Sequence, residues 1–142
     1  MSEYRHGNHS VFSIHLHLVW TTNYRKAILA GDVGLKVREL VREVCRSEGV
    51  EIIKRHVSRN HVHLFVSVPP QVTINRLGQS LKGKNSHKLL HSFESLQRMF
   101  WGRHLWAREY FCCSSGNVTD DVMKAYIEQQ NEDDADFKVE GE

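Results

Sequence analysis

Two segments, VEIIKRHV (Val50 to Val57) and HVHLFVSV (His61 to Val68), are separated by only three residues, Ser58-Arg59-Asn60. Each reads as a strand, and a polar link of three residues has the length of a hairpin loop, so this pair commits the chain to an antiparallel sheet. In the second segment Val62, Leu64, Val66 and Val68 share one uniformly apolar face that must be core. A slip of one residue would turn all four toward water, so the register is fixed. His61 and His63 therefore share the other face, about 6.6 Å apart along the backbone at roughly 3.3 Å per residue. Pro69-Pro70 closes the strand.

Around the hairpin, VFSIHLHLVW (Val11 to Trp20) alternates with Phe12, Ile14, Leu16, Leu18 and Trp20 on one face and is expected to be another strand. Val33, Val37, Leu40, Val41 and Val44 recur at helical spacing between Asp32, a candidate N-cap, and Gly49, a candidate C-terminal stop. Thr73 can cap a second helix carrying Ile74, Leu77, Leu81, Leu89, Leu90 and Phe93, with Gly78 and Gly83 inside it. Its polar side is basic: Arg76, Lys82, Lys84 and Lys88. Leu105 to Cys113 is a further strand candidate, and Thr119 caps a last helix, TDDVMKAYIEQQ. The order strand, helix, strand, strand, helix, strand, helix predicts an α+β domain, an antiparallel sheet with packed helices in the split βαβ, ferredoxin-like arrangement that RNA-recognition modules also use.

A chain of 142 residues suits one domain. We expect a core over about residues 11–113, a tyrosine-bearing helix over about 118–131, and a mobile acidic tail over 132–142. The opening MSEYRHGNHS has no secretory apolar segment and no run approaches a membrane span, so a cytoplasmic protein without a membrane partner is expected. Cys112 and Cys113 are adjacent and Cys45 stands alone, which is neither a disulfide framework nor a CxxC metal knuckle. The net charge of +2 conceals a division: residues 1–110 carry 17 Lys+Arg against 8 Asp+Glu, whereas residues 111–142 carry 2 against 9. A basic body suits a polyanionic partner, because each Lys or Arg on a phosphate releases a counterion.

Two imidazoles on one rigid strand can converge on a metal ion, which makes His61 and His63 candidate ligands. His15 and His17 form a second such pair; a structural role suits them, and His17 could also support the first pair through a hydrogen bond. His87 and His91 lie one helical turn apart among lysines, without the Glu of HExxH. In the last helix Tyr126 and Gln130 are four residues apart and share a face. Tyrosine supplies a phenol nucleophile and glutamine a carbonyl oxygen, and Val122, Met123 and Ile127 already give that helix an apolar stripe.

The motifs NHVHLFVSVPP, KGKNSHKLL and GNVTDDVMKAYIEQQ, with HLHLVWTTNYRKAIL before them, together resemble the single-tyrosine HUH transposases of small bacterial and archaeal insertion sequences. The resemblance covers most of residues 11–131 in order. It implies a transposase that cuts and rejoins single-stranded DNA, including hairpins, at the ends of a mobile element. Carried over residue by residue, it makes His61, His63 and Gln130 ligands of a divalent metal, Mg²⁺ or Mn²⁺, and Tyr126 the nucleophile that forms a 5′-phosphotyrosine. It also implies a homodimer in which the tyrosine helix completes the partner's site, with Ser114 to Asn117 as the joint. Arg25, Arg76, Lys82, Lys84 and Lys88 are candidate DNA contacts, and His17 and Asn60 candidate supports of the ligands. Two positions depart from the family pattern: Asn60 stands where an Asp is frequent, and Asn23 where a basic residue is frequent. From the residues alone, a metal-dependent phosphoesterase using water and a non-catalytic single-strand-binding module remain alternatives.

Overall fold

The computed structural model describes residues 5–6, 11–12 and 14–114. A four-stranded antiparallel sheet is built from β3 (His15–Thr21), β4 (Glu51–Val57), β5 (His61–Ser67) and β6 (Phe111–Ser114), in the spatial order β4-β5-β3-β6. Two short strands, β1 (Arg5–His6) and β2 (Val11–Phe12), form a separate antiparallel ladder. Helices α1 (Gly31–Glu48) and α2 (Ile74–Ser92) connect the sheet strands, and a short α3 (Glu94–Met99) follows α2. Among the sheet strands this is the βαββαβ order expected of a ferredoxin-like domain. The hairpin link at 58–60 is closed by Ser58 N–H donating to His61 O at 2.9 Å.

The core lies between one face of the sheet and the two long helices. Leu16, Leu18 and Trp20 of β3 meet Val62, Leu64 and Val66 of β5, and above them lie Val37, Leu40, Val41 and Val44 of α1 with Leu77, Leu81 and Leu89 of α2. Gly49 takes the left-handed conformation, φ 72°, that ends α1. Thr73 Oγ1 accepts from Arg76 N–H at 3.1 Å and starts α2. That helix runs unbroken through Gly78 because a close approach requires a glycine there: a Cβ would lie 2.9 Å from the Tyr110 ring.

Four details differ from the sequence pattern. The Val11 to Trp20 alternation is divided, since β2 pairs with β1 and the sheet strand begins at His15; alternation shows which face a residue takes and is silent about its partner strand. Asp32 does not cap α1: Ala30 holds that position without a side-chain bond, and Asp32 sits in the first turn, where the helix dipole favours it. Phe93 lies at the junction that ends α2 and begins α3, and packs against the core from there. Leu105 and Trp106 are buried in irregular chain and only Phe111–Ser114 forms a strand. Tyr126, Gln130, the helix expected near 118–131 and the acidic tail lie outside the described residues. Among the described residues, no helix is long and apolar enough to cross a membrane.

Candidate active site

β5 sets the site. Its alternation buries Val62, Leu64 and Val66 and turns His61, His63 and Phe65 to the face opposite the helices. The antiparallel register adds neighbours to that face: Thr21 lies opposite His61, Val19 opposite His63 and His17 opposite Phe65 on β3, while His56 lies opposite His63 and Lys54 opposite Phe65 on β4. His17 stacks on Phe65 with ring centres 4.4 Å apart. A cavity of about 390 Å³ opens here, lined by His17, His63 and Phe65 with Lys54, Arg55 and His56.

Each of the two histidines is held through one ring nitrogen. Asn60 Oδ1 lies 2.9 Å from His61 Nδ1. With that oxygen as acceptor, Nδ1 carries the proton and the lone pair is on Nε2. His17 Nδ1 lies 3.0 Å from His63 Nε2; where His63 donates this bond, its ligating lone pair is on Nδ1. Burial, followed by the charge of Arg25 and the nearby His56 and His63, pushes the His61 pKa down to about 4. At neutral pH the ring is therefore the uncharged imidazole that a metal requires.

This donor chemistry fits a divalent ion. Thr21 Oγ1, buried in the register opposite His61, has no hydrogen-bond partner among the described residues. The fit is incomplete within this part of the chain: the described residues hold no group of three His, Cys, Asp or Glu able to bind a metal.

The turn after β3 brings a cation close. Tyr24 and Arg25 both have positive φ, 59° and 54°, a conformation costly for non-glycine residues. Thr22 Oγ1 bonds Lys26 O at 2.7 Å, and Thr22 N–H bonds Asn60 O at 2.9 Å, so the turn is clamped to the hairpin loop. Arg25 is only 8% exposed and acts on His61 through its charge, so it sits beside the histidines and not on an outer surface.

The basic side of α2 is more engaged than its sequence suggests. Lys82 Nζ donates to Arg108 O at 2.7 Å, and burial lowers its pKa. Arg76 pairs with Glu48 at 3.2 Å and Lys88 with Glu43 at 3.5 Å, which ties α2 to α1; Lys84 borders the same seam. Lys54, Arg55 and His56 are the functional candidates that sequence reasoning missed. Their signal was present, since the hairpin register places β4 directly alongside His63 and Phe65.

Comparison with known proteins gives a consistent result. The family described as "Transposase IS200 like" matches residues 10–130. The ISDra2 transposase TnpA of Deinococcus radiodurans is 29% identical over 130 residues, spanning 92% of this chain and 93% of that protein. The transposase for insertion sequence element IS200 of Salmonella typhimurium is 27% identical over 126 residues, spanning 89% and 82% respectively. A solved structure from Deinococcus radiodurans R1, described as that of a transposase, superposes with a TM-score of 0.80 at 27% identity over 89% of this chain and 97% of the other. A REP-associated tyrosine transposase bound to a REP hairpin shares the fold, with a TM-score of 0.57 at 17% identity over 88% of this chain and 68% of the other.

Proposed function

The chain belongs to the IS200-like transposase family, and from that premise we propose that it cuts and rejoins single-stranded DNA at the ends of an insertion sequence through a covalent tyrosine intermediate. The observation that carries this reading is the pair His61 and His63, presented on one strand face with one nitrogen of each ring bonded to Asn60 or His17. Bound by these imidazoles and Gln130, Mg²⁺ or Mn²⁺ would supply Lewis acidity at the scissile phosphate.

The chain's own groups do the rest. Lys54 and Arg55 at the histidine cavity, with Arg25 near His61, favour a phosphate there. The Tyr126 phenol gives its proton to solvent as its oxygen attacks phosphorus, a P–O bond forms to tyrosine, and the P–O3′ bond breaks. The 3′ oxygen leaves and takes up a proton as the free 3′-OH, while the 5′ phosphate stays on Tyr126. Because the phosphotyrosine retains the energy of the cleaved linkage, a 3′-OH from another end can reverse the step and join strands without a nucleotide cofactor. The hairpin bound by the REP-associated relative supports hairpin ends as the partner, and a homodimer with shared sites is part of the same proposal.

The test incubates the protein with end-labelled single-stranded oligonucleotides and Mg²⁺ or Mn²⁺, then runs a denaturing gel. A protein–DNA adduct that resists denaturation is expected, and Tyr126→Phe should abolish it while binding persists. Cleavage without an adduct, or undiminished cleavage by Tyr126→Phe, would assign the reaction to activated water instead.

A further inference from the structure

A cavity larger than the one at the histidines lies elsewhere in the described part of the molecule. About 600 Å³ opens between α2 and the irregular chain before β6, and its lining includes Asn23, Lys82, Arg103, His104 and Arg108. Among the described residues, the lining contains basic side chains and no carboxylate. An adjoining cavity shares Arg103 and His104 and adds Trp101. That tryptophan is 80% exposed, whereas Trp20 and Trp106 are 2% and 4% exposed. An indole in water loses the burial that usually retains it in a fold, and beside exposed arginines it is a platform for a flat partner.

The position of Arg103 is built. Its guanidinium lies over the Tyr24 ring, 6.0 Å from the centroid, and Tyr24 is one of the two residues held at positive φ. The same turn fastens the cavity wall, with Asn23 N–H donating to Leu105 O at 2.8 Å and Asn23 Nδ2 to His104 O at 2.9 Å. It also reaches the active site, through Thr22 N–H to Asn60 O at 2.9 Å and Ala107 N–H to Thr21 O at 2.9 Å. One strained turn thus joins the cavity wall to the loop that holds His61.

We propose that this cavity receives an unpaired nucleotide of the single-stranded DNA substrate, its phosphate met by Arg103 and Arg108 and its base stacked on Trp101. Two features favour a nucleotide over a protein: cationic donors with no acid among the described lining residues, and an exposed aromatic plane beside them, the combination by which single strands are held without sequence readout. The inference deepens the reading of the chain as a single-strand transposase and rests on it.

The experiment measures anisotropy of a labelled single-stranded oligonucleotide, and of the same length as a blunt duplex, with the full chain over a range of salt. Trp101→Ala should weaken single-strand binding about tenfold or more, the effect of one stacked base, and leave duplex binding unchanged; Trp101→Phe, which keeps a plane, should restore most of the affinity. Arg103→Ala/Arg108→Ala should lower the magnitude of the log K against log salt slope by about 0.7 for each phosphate these side chains neutralise. All three residues are exposed, so thermal melts should match the unsubstituted protein. If that protein binds and cuts single strands while the variants keep its affinity and salt slope, the cavity is not on the DNA path and the proposal fails alone. If the variants instead shift the oligomeric mass in sedimentation, the surface is a contact between copies of the chain, which also overturns it. If the unsubstituted protein neither binds nor cuts single strands, the functional reading itself falls.

Discussion

Asn60 stands where the family pattern that this sequence resembles frequently has Asp, and it presents an oxygen to His61. An amide oxygen accepts the His61 Nδ1 proton as a carboxylate would and lacks only the negative charge. Asn60→Ala, which removes the acceptor, should weaken Mn²⁺ binding roughly 10- to 100-fold, the usual cost of deleting a partner that orients a ligand; Asn60→Asp should bind at least as tightly as Asn60. Calorimetric titration checks both, and equal affinity in all three proteins would show that the bond does not orient the ring. A second prediction at this scale concerns Cys45, 1% exposed, whose thiol burial pushes up to about 12. It should resist alkylation at pH 8 in the folded protein. The unfolded thiol titrates near the ordinary value of 9.0, so between pH 9 and 12 the unfolded state binds fewer protons and this group's contribution to stability falls as pH rises. Cys45→Ala should flatten the alkaline limb of the stability profile measured by urea denaturation.

Helix α2 does two tasks on its two sides. Its buried side, Leu77, Leu81 and Leu89, closes the core, and at Gly78 it admits the Tyr110 ring, whose hydroxyl donates to Asn75 Oδ1 at 3.0 Å. Gly78→Ala should therefore destabilise the protein by about 1–3 kcal/mol through overpacking, although alanine alone would favour the helix by about 1 kcal/mol. A urea melt with unchanged or raised stability would mean that Tyr110 moves aside freely. On the polar side, the links of Arg76 and Lys88 to α1 and of Lys82 to Arg108 O qualify the simple picture of a basic stripe waiting for phosphate. Lys82→Ala/Lys84→Ala separates the two roles: a DNA contact lowers the salt slope, whereas a purely structural role lowers the melting temperature alone.

At the scale of the whole molecule, the dimer we propose would decide which copy of the chain supplies the tyrosine. His61 and His63 lie on the sheet, whereas Tyr126 lies beyond β6 and the Ser/Gly link that follows it. We predict that Tyr126→Phe and His61→Ala/His63→Ala proteins, each inactive alone, recover some cleavage when mixed under conditions that allow subunit exchange. A heterodimer sharing sites in trans contains one intact histidine pair facing one intact tyrosine. With heterodimers verified by mass, absence of recovered cleavage would place the tyrosine on its own chain's histidines.

Much of this arrangement is legible in the residues themselves. The three-residue link between two β-branched segments, the apolar set Val62, Leu64, Val66 and Val68, and the Thr73 and Gly49 caps depend on local sterics and on periodicity. These act over a few residues, so the sequence alone determined the hairpin, the two long helices and the common face of His61 and His63. The tertiary structure decided everything that depends on which distant segments become neighbours. Strand β3 lies beside β5, which brings His17 to His63; the turn at Thr22 lies on the hairpin loop, which brings Arg25 near His61 and Tyr24 beneath Arg103. Such contacts form because burying the shared core offsets the entropy of closing long loops, and no residue's own preference encodes its partner across that distance.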